Sequence, residues 1–171
     1  MTTLPLFADL GLPPVVVADL RRMNPWWEDR PQPPLPATRR HVVTTIRRRM
    51  ATGLAPIVVV RGPRQVGKTI ALRQVLQDLL DEGVPPTRVL AVQFDEFADL
   101  KLDEPVLRIV EWFERAVLGK RLNEAAHAGE ATVLVFDEVQ NLRDCAPQLK
   151  SLVDHAATTV LVTATSALRI E

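Results

Sequence analysis

Gly62-Pro-Arg-Gln-Val-Gly-Lys-Thr69 decides how this chain is read. Glycines stand at its first and sixth places and Lys68-Thr69 close it, which is the phosphate-loop (P-loop) pattern. An apolar run, Ile57 to Val60, precedes it, and a helical pattern from Lys68 to Leu80 follows it. The loop therefore lies where a strand hands over to a helix. Gly62 and Gly67 can take backbone angles closed to residues with a Cβ, which lets successive main-chain N–H groups turn inward around an anion. The helix starting near Lys68 aims its unpaired N–H groups and the positive end of its dipole at the same point. Chance placement of all four fixed residues in a chain of this length runs at roughly one per cent. The cradle is expected to comprise Gly62, Pro63, Arg64, Gln65, Val66, Gly67, Lys68, Thr69 and Ile70. Lys68 would reach β- and γ-phosphate oxygens as a point charge, and the Thr69 hydroxyl would hold a magnesium ion bridging them.

Working outward, Thr132 to Phe136 reads as a strand buried on both faces and ends in Asp137-Glu138-Val139-Gln140. Such a strand carries carboxylates out at its C-terminal edge, the Walker B arrangement. Asp137 is the expected magnesium partner, and Glu138 the group that polarises or orients an attacking water, with Lys68 as its catalytic companion. Gln140 either relays the state of the γ-phosphate or caps the following turn. Thr159 to Val162 reads as a fourth strand, whose exit Thr163-Ala-Thr-Ser166 brings hydroxyls to the same edge. Thr163 or Thr165 is the candidate sensor of the γ-phosphate, with ordinary turn chemistry as the alternative. Arg88 to Phe94 reads as a further buried strand, and its Asp95-Glu96 either serves the site or leads into a turn.

The flanks carry less chemistry. Residues 1–36 hold more than half of the 14 prolines, so this arm is neither a long helix nor an inner strand. It is expected to lie extended on the core, with one short helix, Val15 to Met23. Asn24-Pro-Trp-Trp27 presents two indoles that either cover an adenine or pin the arm to the domain. Thr38 is the expected cap of a helix through about Ala51, on which Arg39, Arg40, Arg47, Arg48 and Arg49 form a basic face. That face either meets nucleic-acid phosphates or is solvated and paired with acidic neighbours. Further on, Asp103 is read as the cap of a helix buried through Val106, Val110, Phe113 and Val117. Asn123 to Glu130 is read as a connection, and Asp144 with Pro147 as the entry to another helix.

With 171 residues the chain has room for one domain with a substantial core, divided as a proline-rich arm, 1–36, and a P-loop core, 37–171. Net charge is zero, with 21 basic and 21 acidic residues, so nothing global draws it to nucleic acid or anionic lipid. The single cysteine, Cys145, precludes an internal disulfide, no run is apolar and long enough to span a bilayer, and, with no basic stretch followed by an apolar core at the start, no secretory signal is expected. A cytoplasmic location without membrane contact is expected. His41, His127 and His155 show no zinc-ligand spacing with Cys145.

Taken in order, Arg61-Gly-Pro-Arg-Gln-Val-Gly-Lys-Thr69, Phe136-Asp-Glu-Val-Gln140 and Thr163-Ala-Thr-Ser166 resemble the prokaryotic AAA-type ATPases typified by G-P-R-x-V-G-K-T, F-D-E-[IV]-Q and T-G-S-S segments. Asn24-Pro-Trp-Trp27 is similar to the short element these proteins place ahead of the core. Ala164 departs from the glycine of the last motif. The resemblance implies an α/β, three-layer P-loop NTPase of the ASCE/AAA type, with a mostly parallel sheet in the order 2-3-4-1. Family members continue with a fifth strand, a helical lid and a C-terminal domain, so the core is expected to be incomplete and to leave the P-loop strand at an edge. Implied function is magnesium-dependent ATP binding, with ATP hydrolysis in a full-length context and slow turnover without lid or arginine finger. Implied partners are ATP and a homo-oligomer or other protein. A non-hydrolysing nucleotide-gated module, a truncated remnant, and a nucleic-acid binder acting through the Arg39 to Arg49 helix are the rivals.

Overall fold

The computed structural model of the chain describes residues 10–97 and 100–165. Ser166 and the residues after it, including the end of the Thr163 to Ser166 motif, lie outside the described residues. Four parallel strands, β1 (Ile57–Gly62), β2 (Val89–Gln93), β3 (Val133–Asp137) and β4 (Thr159–Thr165), form one sheet in the order β1-β4-β3-β2. This is the expected order, with the P-loop strand β1 at one edge. All pairs are parallel and in register, Val58 opposite Leu161, Leu161 opposite Val135, and Val135 opposite Ala91.

Alternation along the strands divides the core in two. Leu90, Val92, Leu134, Phe136, Val160 and Val162 point to a face covered by α1 (Pro14–Met23), α4 (Pro105–Phe113) and α6 (Cys145–His155). Val89, Ala91, Val133, Val135 and Leu161 point to the other, covered by α2 (His41–Thr52) and α3 (Lys68–Asp81). β2, β3 and β4 are buried on both faces, which is why they read as near-continuous apolar runs, whereas the edge strand β1 buries fully only Val58. The fold is a three-layer α/β sandwich of the P-loop NTPase type.

Asn24-Pro-Trp-Trp27 wraps the free edge of β2. The Asn24 amide donates to the carbonyl of Ala91 at 2.8 Å and its Oδ1 accepts from the Ala91 N–H at 2.7 Å. Trp26 and Trp27 both donate Nε1–H to the Val89 carbonyl, at 3.2 and 2.9 Å, and Met23 Sδ accepts from Gln93 N at 3.4 Å. Four consecutive outward-facing backbone groups are thus met by side chains, in place of a fifth strand's ladder. The arm then continues along α3, where Gln74 Nε2 donates to the carbonyls of Pro36 and Thr38, each at 3.1 Å.

Several local expectations are corrected. Arg40, in an extended conformation, is the N-cap of α2, and Thr38 lies outside the helix with its carbonyl spent on Gln74. Glu104 rather than Asp103 precedes α4, because a left-handed residue (φ 47°) is needed to turn the chain into Pro105. Residues within Asn123 to Glu130 form part of a short helix, α5 (Leu122–His127), anchored by the buried Leu122 and Ala125. β4 runs through Thr165, so both candidate sensor hydroxyls belong to the strand itself.

Candidate functional site

At the C-terminal ends of the parallel strands, β1 delivers the P-loop and β3 delivers Asp137. Left-handed turns at Gln65 (φ 61°) and Gly67 (φ 87°) curl the loop into α3. At Gly67 a Cβ would also collide with the Arg40 guanidinium, which lies on the loop and donates to the Val66 carbonyl at 2.8 Å. The positive φ is what favours glycine here, since the Arg40 side chain could swing aside. Lys68, 6% exposed, donates from Nζ to the carbonyls of Gly62 (2.9 Å) and Pro63 (2.7 Å). Its ammonium is held at the mouth of its own loop.

Thr69 and Asp137, far apart in sequence, meet directly: Thr69 Oγ1 donates to Asp137 Oδ2 at 2.6 Å. Asp137 is 3% exposed, and its other oxygen accepts from the hydroxyl of the fully buried Thr163. The same Thr163 oxygen accepts from Glu138 N at 2.9 Å. One hydroxyl therefore links Asp137 and Glu138. Glu138 takes a left-handed conformation (φ 59°), and its Oε2 accepts from Gln140 Nε2 and, at 3.1 Å, from Thr165 Oγ1. Gln140 Oε1 also accepts from Thr165 N at 3.1 Å, so Gln140 joins the acid to the fourth strand.

Two contributors escape a reading by motif. Gln93 is the register partner of Asp137 on β2, and its amide lies 3.5 Å from Asp137 Oδ2 while accepting from Arg73 Nη2 at 3.1 Å. Pairing the strand ends would have found it, since residues opposite each other on neighbouring parallel strands leave the sheet side by side. Arg73 sits one turn after Thr69 on α3. Asp95 lies just past β2, and burial, then the charges of Asp137, Glu138 and Glu96, hold its carboxyl above the ordinary carboxylate range.

Other candidates fall elsewhere. Trp26 and Trp27 sit on the β2 edge and serve the Val89 carbonyl, and Trp26 also lines a cavity that reaches Thr69 and Asp137. On the basic helix, Arg39 pairs with Asp78, and Arg47 donates to Glu82 at 2.6 Å, which joins α2 to the end of α3. Pro63, Arg64, Gln65 and Val66 form the exposed crown of the loop, and Ile70 is half-buried in the first turn of α3. Among the described residues, no helix is long and apolar enough to cross a membrane.

Residues 54–171 match the family model described as an AAA domain. Twelve chains of solved structures match. One is the Aeropyrum pernix ORC2 protein in its ADPNP–ADP complexes, 14% identical, with a TM-score of 0.48, over 82% of this chain and 44% of that one. The chain thus spans less than half the length of that protein. Comparison with curated proteins gave no match.

Proposed function

The chain belongs to the AAA domain family, and from that premise we propose that it binds ATP with magnesium in the P-loop cradle and hydrolyses it. The observation that carries this proposal is the Thr69 hydroxyl, 2.6 Å from the Asp137 carboxylate and beside an ammonium whose two partners are carbonyls of its own loop. Neutral carbonyls are weaker acceptors than phosphate oxygens, so Lys68 exchanges them at little cost. Arg64 to Gly67 and the first turn of α3 offer main-chain N–H groups to the same anion.

A hydroxyl and a carboxylate are hard oxygen donors, and among the described residues no group of three or more His, Cys, Asp and Glu side chains forms a competing cage. That suits magnesium, which takes one or two carboxylates and leaves its remaining positions to water and phosphate. Thr69 and Asp137 would hold the ion, which when bound neutralises charge on the phosphate oxygens. Glu138 orients the attacking water and accepts its proton, while Gln140 and Thr165 fix the carboxylate through Oε2. Thr163 sets the angle between Asp137 and Glu138. Full turnover is proposed to draw an arginine from a second subunit, a contribution of roughly three to five orders of magnitude in related sites.

Thermal unfolding of wild type and Lys68→Ala, each with and without Mg-ATP, tests binding. At ligand near 100 times Kd the folded state gains about 2.7 kcal/mol, or roughly 5 to 10 °C for a domain of this size. The rise is expected in wild type only, and to shrink when EDTA replaces magnesium. No rise in a well-folded wild type would overturn the nucleotide assignment. Glu138→Gln is expected to keep the thermal rise and abolish phosphate release. A wild type that binds ATP but releases no phosphate would replace the hydrolase with a nucleotide-gated module.

A further inference from the structure

Between the arm and α3, beside Thr69 and Asp137, lies a cavity of about 160 Å³ that the nucleotide chemistry leaves unused. Its depth is apolar, walled by Pro25, Trp26, Leu72, Leu76 and Val135. Its rim carries Arg73, and this guanidinium differs from the others near it. Arg22, on the same rim, is paired with Glu96 at 2.8 Å and Asp19 at 3.4 Å. Asp137 is committed to Thr69 and Thr163. Arg73 is half-buried, and among the described residues its guanidinium meets only the neutral Gln93 amide, at 3.1 Å, with no carboxylate in ion-pair range. A partly desolvated cation beside an apolar wall favours a ligand that supplies an anion and a hydrophobic body together.

We propose that this cavity binds a small aryl carboxylate, its carboxylate on Arg73 and its ring between Trp26 and the Leu72–Leu76 face of α3. The volume is right for one six-membered ring, since an apolar cavity of about 150 Å³ takes up benzene. The planar guanidinium fork matches a carboxylate with two parallel hydrogen bonds. Binding is also linked to the neighbouring site. When Arg73 turns to the ligand it releases Gln93 Oε1, and the Gln93 amide, 3.5 Å from Asp137 Oδ2, is free to reorient against that acid. Occupancy and nucleotide affinity then change each other by the same factor. This linkage rests on the nucleotide assignment above, whereas binding in the cavity does not.

The probe is sodium benzoate, titrated without nucleotide at constant ionic strength, with binding read as a change in the tryptophan fluorescence to which Trp26 in the cavity wall contributes. A saturable change is expected in wild type, with affinity about tenfold or more weaker in Arg73→Met, which keeps the apolar stem and removes the charge. Arg73→Lys is expected to fall between, because it keeps the charge and loses the fork. Sodium acetate, which carries the charge without the ring, is expected to give no saturable change. Absence of saturation by benzoate in folded wild type, or equal affinity in wild type and both variants, would overturn the site. In a second arm, saturating benzoate is expected to shift the Mg-ATP affinity of wild type at least threefold and to leave that of Gln93→Leu unchanged. Benzoate binding with no such shift, in a protein that binds Mg-ATP, would overturn the linkage alone.

Discussion

At the scale of single residues the site is a set of acids whose charges are answered unequally. Asp137 receives two hydroxyls and Glu138 an amide and a hydroxyl, but at Asp95 burial and the like charges of Asp137, Glu138 and Glu96 outweigh a backbone hydrogen bond. Its carboxyl is therefore raised above the ordinary 3.8. A raised folded-state value means that the folded protein holds the proton longer than the unfolded chain, so stability falls as pH rises through that window. Asp95→Asn is expected to raise the melting temperature at pH 7, with the gain shrinking as pH falls through the raised value toward 3.8 and below. Thermal melts of both proteins at pH 7 and pH 3.5 check this, and a gain independent of pH would assign it to something other than charge. Thr163→Val keeps shape but strands Glu138 N–H and one Asp137 oxygen in a buried place. A loss of about 1 to 3 kcal/mol in urea unfolding is expected. These placements were partly legible beforehand: the strand ends announced Asp137, Glu138 and the hydroxyls, but not that one hydroxyl would bridge the two acids.

At the scale of elements, the segment around Asn24 shows how a sheet edge is closed without a strand. An exposed edge invites pairing with another chain, and here side chains of Met23, Asn24, Trp26 and Trp27 take its open groups. Asn24 is fully buried. Asn24→Ala orphans both the N–H and the carbonyl of Ala91 and is expected to cost about 2 to 4 kcal/mol. Asn24→Asp should cost at least as much, because a carboxylate oxygen would then face the carbonyls of Leu20 and Ala91. Urea unfolding orders the three proteins, and an aspartate variant as stable as wild type would contradict this account of the edge. The two indoles were legible as anchors but not their common target. Pairing a side chain to a strand edge is a contact across more than sixty residues of chain, with no local pattern to mark it.

At the scale of the whole molecule, the arm and the P-loop core share one interior. Val16, Val17, Leu20 and Met23 of α1 pack in the same cluster as Leu90, Val92, Phe113 and Phe136. Removing residues 1–36 would expose that cluster and the β2 edge together. The shortened chain is expected to lose cooperative unfolding, whereas the full chain shows coincident transitions by tryptophan fluorescence and far-ultraviolet circular dichroism. A stable, cooperative 37–171 fragment would instead make the arm an appendage. By itself the sequence determined the strands and helices of the core, the turn of the Gly62 to Thr69 loop and the acids at the strand ends, while the layers and the strand order followed from its resemblance to a family. The elements follow from local periodicity, the turn from glycine, and the acids from carboxylates placed where a buried strand must surface. Only the tertiary structure decided the capping residues, the closing of β2 by Asn24 and the indoles, the Thr163 bridge, and the meeting of Arg73, Gln93 and Asp137. Those depend on which distant groups the packing leaves within about 3 Å of one another, and hydrogen bonding at that range is set by the assembled sheet rather than by neighbours along the chain.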